Sequence, residues 1–129
     1  MKQNTIALVY DFDGTLIPKT MQDYTIIPRL KLRSDKFWSD IMEEAEATDG
    51  EVMMIYMRQL ITRANSMNIK ITKSEFKLMA SKIEYFKGVF TWFDNINKYL
   101  KNNHKRIKVA HYVISAGHHE ILELSLIHI

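Results

Sequence analysis

Ile6-Ala7-Leu8-Val9-Tyr10-Asp11-Phe12-Asp13-Gly14-Thr15-Leu16 is the stretch on which the reading of this chain turns. Ile6 to Tyr10 is a short continuous apolar run, and Asp-Phe-Asp-Gly-Thr ends it as a polar turn with glycine. Such a run predicts a buried parallel strand, apolar on both faces. Side chains alternate along an extended chain, so Asp11 and Asp13 project to one side if extension continues. They then converge at the carboxyl end of the strand, where ligands bind in open α/β sheets. Gly14 permits a sharp turn that a side chain would obstruct. Beside a hard divalent cation such as Mg²⁺ two close carboxylates stay ionised, and one can attack phosphorus. The alternative is a polar turn in which both aspartates accept from local amides.

Working outward, Lys19 to Lys31 is irregular and reads as a connection; Pro18 precedes it and Pro28 lies within it. Ser34 then offers a cap to a helix with Phe37, Ile41 and Ala45 on one face. Asp49-Gly50 interrupts the pattern, and Met53, Tyr56, Leu60, Ala64 and Met67 resume it from Glu51 to Met67. Met53, Met54 and Met57 are adaptable enough to line a ligand pocket, although helical spacing alone predicts packing. Thr72 and Glu75 match a capping box whose partners satisfy each other's orphan amides. Phe76, Met79, Ala80, Ile83 and Phe86 form the next stripe, which Gly88 is expected to stop. Val89, Trp92, Phe93, Ile96, Tyr99 and Leu100 form another, and the β-branched run Ile107–Ile114 reads as a second strand ending at Ser115-Ala116-Gly117. The order is that of an α/β domain with a helical insertion after its first strand.

The 129 residues suit one domain or a piece of a larger one, and 47% apolar with 26% charged residues is the balance of a globular chain. Cysteine is absent, which excludes disulfides, thiolate catalysis and Cys-based metal sites. No apolar run approaches a membrane span or a signal-peptide core, so a soluble, cytoplasmic protein without membrane partners is expected. Eighteen Lys and Arg against fifteen Asp and Glu give a net charge of +3. The densest basic stretch, Lys101–Lys108, sits between a helical and a strand-like pattern and reads as a solvated loop; no nucleic-acid partner is expected. His118-His119-Glu120 fails as a zinc helix, since H-E-x-x-H needs histidine where Glu123 stands. His118 and His119 read as packing or surface residues at the mouth of the presumed site.

Asp11-Phe12-Asp13-Gly14-Thr15-Leu16 resembles the first motif of the haloacid dehalogenase-like superfamily of hydrolases, and Val109-Ala110-His111-Tyr112-Val113-Ile114-Ser115 resembles the second. The resemblance covers residues 5–123 and is nearest in kind to phosphoserine phosphatase-like members. It implies an incomplete Rossmann-like parallel sheet with an inserted helical type 1 cap. Residues 1–18 would be the first strand and catalytic turn, 19–87 the cap, and 88–123 the core helix, second strand and helix start. It further implies a Mg²⁺-dependent phosphatase acting on a small phosphorylated metabolite. Asp11 would be the nucleophile and Asp13 the acid and base. Mg²⁺ would be held by the Asp11 carboxylate and the Asp13 carbonyl. Ser115 would bind the phosphoryl group, with Ala116 and Gly117 beside it, and Thr15 would support the turn. An acid at position 13 fits a phosphatase rather than a dehalogenase, because an alkoxide must be protonated. A phosphotransferase or mutase on the same scaffold, or a non-catalytic helical module, are the alternatives.

In that family a basic third motif and an acidic fourth motif follow the helix after the second. On this reading the chain is the N-terminal part of an enzyme, expected to be inactive and poorly folded by itself. Leu124-Ser125-Leu126-Ile127-His128-Ile129 is what CTG-TCT-CTT-ATA-CAC-ATC encodes, bases resembling a transposon end used as a sequencing adapter. Residues 124–129 are therefore expected not to be natural protein. The right-handed crossover rule also predicts that Asp11, Asp13 and Ser115 meet at the carboxyl ends of two adjacent parallel strands.

Overall fold

A computed structural model of the chain describes residues 4–126. It is a mixed α/β structure with a two-stranded parallel sheet. Strand β1 is Thr5–Asp11 and β2 is Lys108–Ile114, running in register from Thr5 opposite Lys108 to Asp11 opposite Ile114. Between them come helices α1 (Met21–Tyr24), α2 (Ile26–Arg29), α3 (Ser34–Thr48), α4 (Val52–Ser66), α5 (Lys73–Ala80) and α6 (Val89–Asn103). Helix α7 (His119–Leu126) follows β2. None of the helices among the described residues is long and apolar enough to cross a membrane.

Burial in β1 differs from expectation. Helix α6 covers one face: Phe93 meets Tyr10 edge-on at 5.4 Å and His111 at 5.0 Å, and the Tyr10 hydroxyl lies 2.9 Å from His111 Nδ1. The opposite face is bare, with Val9 55%, Tyr112 55% and Ile114 66% exposed. The apolar run therefore marks a strand, but nothing among the described residues packs on its second face. Burial concentrates instead in the turn after the strand, where Phe12, Leu16, Ile17 and Met21 pack with Val89 and Ile121.

A second core lies within α2–α5, built on Ile27, Phe37, Ile41, Tyr56, Leu60 and Met79. Phe76 packs against both cores. Helix α5 also lies against α7. These contacts join the inserted helices to the strand-end turn.

Several local expectations change. The 19–31 connection contains α1 and α2, and it buries Met21, Gln22, Ile26 and Ile27. Pro28 is tolerated because α2 is a single turn, where its missing N–H costs no helical bond. Ser34 begins α3 rather than capping it, because its hydroxyl donates to Asp23. Asp49 ends α3 in the left-handed region at φ 50°. Glu51 caps α4 by accepting from the Met54 amide at 3.0 Å. The capping box is half made: Thr72 accepts from the Glu75 amide at 3.3 Å, but the Glu75 carboxylate pairs with Arg29 at 2.8 Å. Helix α5 stops at Ala80, so Ile83 and Phe86 follow in a turn, and Gly88 (φ 95°) opens α6 instead of closing α5. Leu124, Ser125 and Leu126 continue α7, with the Tyr85 hydroxyl donating to the Ser125 carbonyl at 3.0 Å. The rest of the 124–129 expectation, residues 127–129, lies outside the described residues.

Candidate active site

Register builds the site. Asp11 is the last residue of β1 and stands opposite Ile114, so Ser115 leaves β2 at the same end of the sheet. The chain then folds tightly on itself. The amides of Leu16 and Ile17 both donate to the Phe12 carbonyl, at 3.0 and 3.2 Å, and Gly14 donates to the Ile17 carbonyl at 2.8 Å. Gly14 has φ 76°, in the left-handed region where a side chain costs about 1–2 kcal/mol. Buried Phe12 and Ile17 anchor this turn from below, while Asp11 stays exposed and Asp13 is half-buried.

The two carboxylates are held differently. Asp11 Oδ1 accepts from the adjacent Phe12 amide at 2.8 Å. Asp13 Oδ1 accepts from the Met21 amide at 2.9 Å, which ties the turn to α1. Burial pushes the Asp13 carboxyl above its usual range; the Met21 amide opposes this, and the charges of Asp11 and Asp23 add to it.

On the β2 side, Ser115 Oγ accepts from the Gly117 amide at 3.1 Å, a local Ser turn. Gly117 is glycine for want of room, since a Cβ there would stand 2.4 Å from Met21 Cε. The next amide, of His118, donates to Met21 Sδ at 3.2 Å. The His118 ring reaches across to α4, with Nε2 2.7 Å from the Tyr56 hydroxyl. Burial lowers the His118 pKa, partly opposed by Glu120, and pushes Tyr56 up to about 12. Met21, Asp13, His118 and Tyr56 thus join the turn, the β2 exit and α4 in one network.

Inside this network is a cavity of about 140 Å³ whose walls include Asp13, Ala116, Gln22, Trp38, Met53 and Tyr56. Trp38 stacks on Tyr56 at 5.4 Å, and its buried indole N–H has no hydrogen-bond partner among the described residues. Met53 therefore does line a pocket, while Met54 and Met57 are exposed. Thr15 is not brought here; it lines a separate hollow with Lys87 and Trp92. A larger cleft beside Lys101, Lys105 and Lys108 lies at the far end of the sheet from Asp11. Gln22, Trp38 and Tyr56 escape a sequence reading because Gln22 lies in a stretch without periodicity, Trp38 lies beside the α3 stripe, and Tyr56 has the spacing of packing. The signal they carry is polar: a Gln in a buried helical turn, and a Trp and a Tyr on facing helices.

Among the described residues no three His, Asp or Glu groups cluster as a ready metal cage. Asp11 and Asp13 make no ion pair with Lys or Arg there, so their charges repel uncompensated. That fits Mg²⁺, which takes one or two carboxylates and completes its shell with water and phosphate oxygens.

No protein-family model, curated protein or solved structure matches this chain.

Proposed function

We propose that the chain carries the nucleophile side of a Mg²⁺-dependent phosphatase of the haloacid dehalogenase-like kind, with β1 and β2 as part of a Rossmann-like sheet and α1–α5 as its inserted cap. The observation that carries the reading is the register of β1 with β2. It supports a site in which an exposed Asp11, a half-buried Asp13 and Ser115 share one end of the sheet.

Asp11, the more accessible acid, attacks phosphorus of a small phosphate monoester. A bond forms from its carboxylate oxygen to phosphorus as the ester P–O bond breaks. The departing alkoxide takes its proton from Asp13, whose burial favours the protonated form. Asp13, now a carboxylate, accepts a proton from water as that water attacks the aspartyl-phosphate. Phosphate leaves, and Asp11 and Asp13 return to their starting states. Ser115 and the amides beyond β2 hold the non-bridging phosphoryl oxygens. Mg²⁺, held by the Asp11 carboxylate and the Asp13 carbonyl, supplies neutralisation of phosphoryl charge when bound.

The test, on the enzyme that contains this nucleophile side, is phosphate release from small monoesters with Mg²⁺ and with chelator, together with mass analysis of the peptide containing Asp11. A phosphoryl adduct at Asp11 is expected. Asp11→Asn should lose about a hundredfold or more in rate. Undiminished turnover in that variant rules out the covalent route.

A further inference from the structure

We infer that the cavity beside Asp13 takes the alcohol part of a small phosphate ester, uncharged or cationic, and rejects an alcohol that carries a carboxylate. This rests on the phosphatase reading and narrows it.

Size limits the occupant first. The cavity is about 140 Å³ and half-open to solvent, room for a short alcohol seated against its wall. Charge limits it further. Asp13 is the charged residue in the wall, and no Lys or Arg among the described residues lines it. The nearby cations are engaged elsewhere. Arg29 pairs with Glu75, Arg33 with Asp35, Arg58 with Glu44 and Arg63 with Asp40. The Lys19 ammonium sits 5.7 Å over the Tyr24 ring. His118, behind Tyr56, is held towards its neutral form by burial.

Recognition of a carboxylate calls for a cationic fork or point charge, and none among the described residues faces this space. The remaining wall offers neutral chemistry. The Gln22 amide and the Tyr56 hydroxyl suit a hydroxyl or an amine, and the Trp38 indole N–H needs an acceptor. The stacked Trp38 and Tyr56 rings suit an alkyl chain or an ammonium group. One neutral N–H does not offset the desolvation of a carboxylate against this wall.

Phosphoethanolamine and phosphoserine differ by that one carboxylate, and glycerol 1-phosphate and 3-phosphoglycerate form a second, uncharged-versus-carboxylate pair. The chain has two tryptophans, Trp38 and Trp92, so Trp92→Phe leaves Trp38 as the fluorescent reporter in the cavity wall. Each ester is titrated with Mg²⁺ present, and the far-ultraviolet helical signal confirms that the chain is folded. The carboxylate-free member of each pair should give a saturable change in emission, with a Kd lower by about tenfold or more. Met53→Arg or Val52→Arg puts a guanidinium on the wall and should shrink or reverse that preference; either variant suffices if the other does not fold. Equal or tighter binding of the carboxylate esters overturns the inference while leaving the phosphatase reading to the Asp11 adduct. Selective binding without turnover or adduct supports the pocket's preference and removes the phosphatase reading. Absence of any saturable response from the folded chain overturns the inference.

Discussion

Tyr56→Phe removes one oxygen from the joint between α4 and the exit of β2. Near neutral pH the His118 imidazole is neutral and Tyr56, with a pKa near 12, keeps its proton, so the hydroxyl donates and Nε2 accepts across 2.7 Å. The phenyl ring that remains keeps its contacts with Trp38 and Phe37, at 5.4 and 6.3 Å, so packing is nearly conserved. What is lost is a hydrogen bond in a site where Tyr56 is only 3% exposed, leaving a largely buried acceptor without a partner. That costs about 1–3 kcal/mol. At roughly 4 °C per kcal/mol for a chain of this size, thermal unfolding followed by circular dichroism should shift down by about 4–12 °C. The double variant Tyr56→Phe/His118→Phe removes both polar groups and should cost less than the sum of the single variants. Additivity within about 0.5 kcal/mol refutes the bond as described. The joint also has a pH signature. The folded pKa of His118 is depressed below its ordinary 6.5, so on acidification the unfolded chain takes up its proton before the folded one. Stability contributed by His118 is thus present above about pH 6.5 and falls away below it, and His118→Phe should lack that decline.

Other expectations follow from single contacts. Asp13→Asn should abolish turnover yet raise the unfolding temperature at pH 7, because the folded pKa is raised by burial and an ionised Asp13 is the costly form; the gain should shrink as pH falls through the folded pKa and vanish below 3.8, where the carboxyl is protonated in both states. Gly117→Ala should destabilise by about 1–3 kcal/mol through the Met21 clash. Gly14→Ala should cost about 1–2 kcal/mol through φ alone, since nothing lies within 4 Å of its Cβ; denaturant midpoints separate the first from the second when Met21→Ala relieves only Gly117→Ala. Val9→Thr and Ile114→Thr, on the bare face of the sheet, should leave the midpoint nearly unchanged and reduce self-association measured by light scattering.

The elements were legible where local chemistry settles them. β2 ends at Ile114 with its apolar run, β1 runs one residue past its run to Asp11, and α3, α4 and α6 follow the spacing of their stripes. Errors arose where a tertiary partner competes for a local group. Ser34 gives its hydroxyl to Asp23 rather than to its own helix, and Glu75 gives its carboxylate to Arg29 rather than to Thr72. Phe76 to Phe86 keeps helical spacing past the point where α5 ends, because Ile83 must turn towards the core under Phe12 and Val89. Hydrophobic patterning also says which residues are apolar without saying how many faces are covered. Val9 and Ile114 are as apolar as a central strand requires and yet stand in water. Of the site, Asp11, Asp13, Ser115 and Ala116 could be seen in the sequence. The cap residues Gln22, Trp38 and Tyr56 could not, because α1, α3 and α4 must pack before those side chains meet.

Asp11 and Asp13 also show why residue type alone leaves a division of labour open. Alternation along an extended chain treats them as equivalent, and nothing in Asp-Phe-Asp distinguishes them. The difference arises one turn later. Phe12, Leu16 and Ile17 collapse into the core and draw Asp13 beneath the start of α1, where the Met21 amide holds one of its oxygens. Asp11 remains at the open strand end with only its neighbour's amide. Burial makes a proton cheaper to keep on Asp13, and in the proposed reaction exposure leaves Asp11 free to approach phosphorus. The asymmetry depends on the apolar residues of the turn more than on the acids themselves. Phe12→Ala would cost about 3–5 kcal/mol of packing. By admitting water it should also bring the Asp13 pKa back towards 3.8, measurable by carboxyl-carbon NMR. A pKa unmoved by loss of that ring would mean that the turn's packing does not set the roles of the two acids.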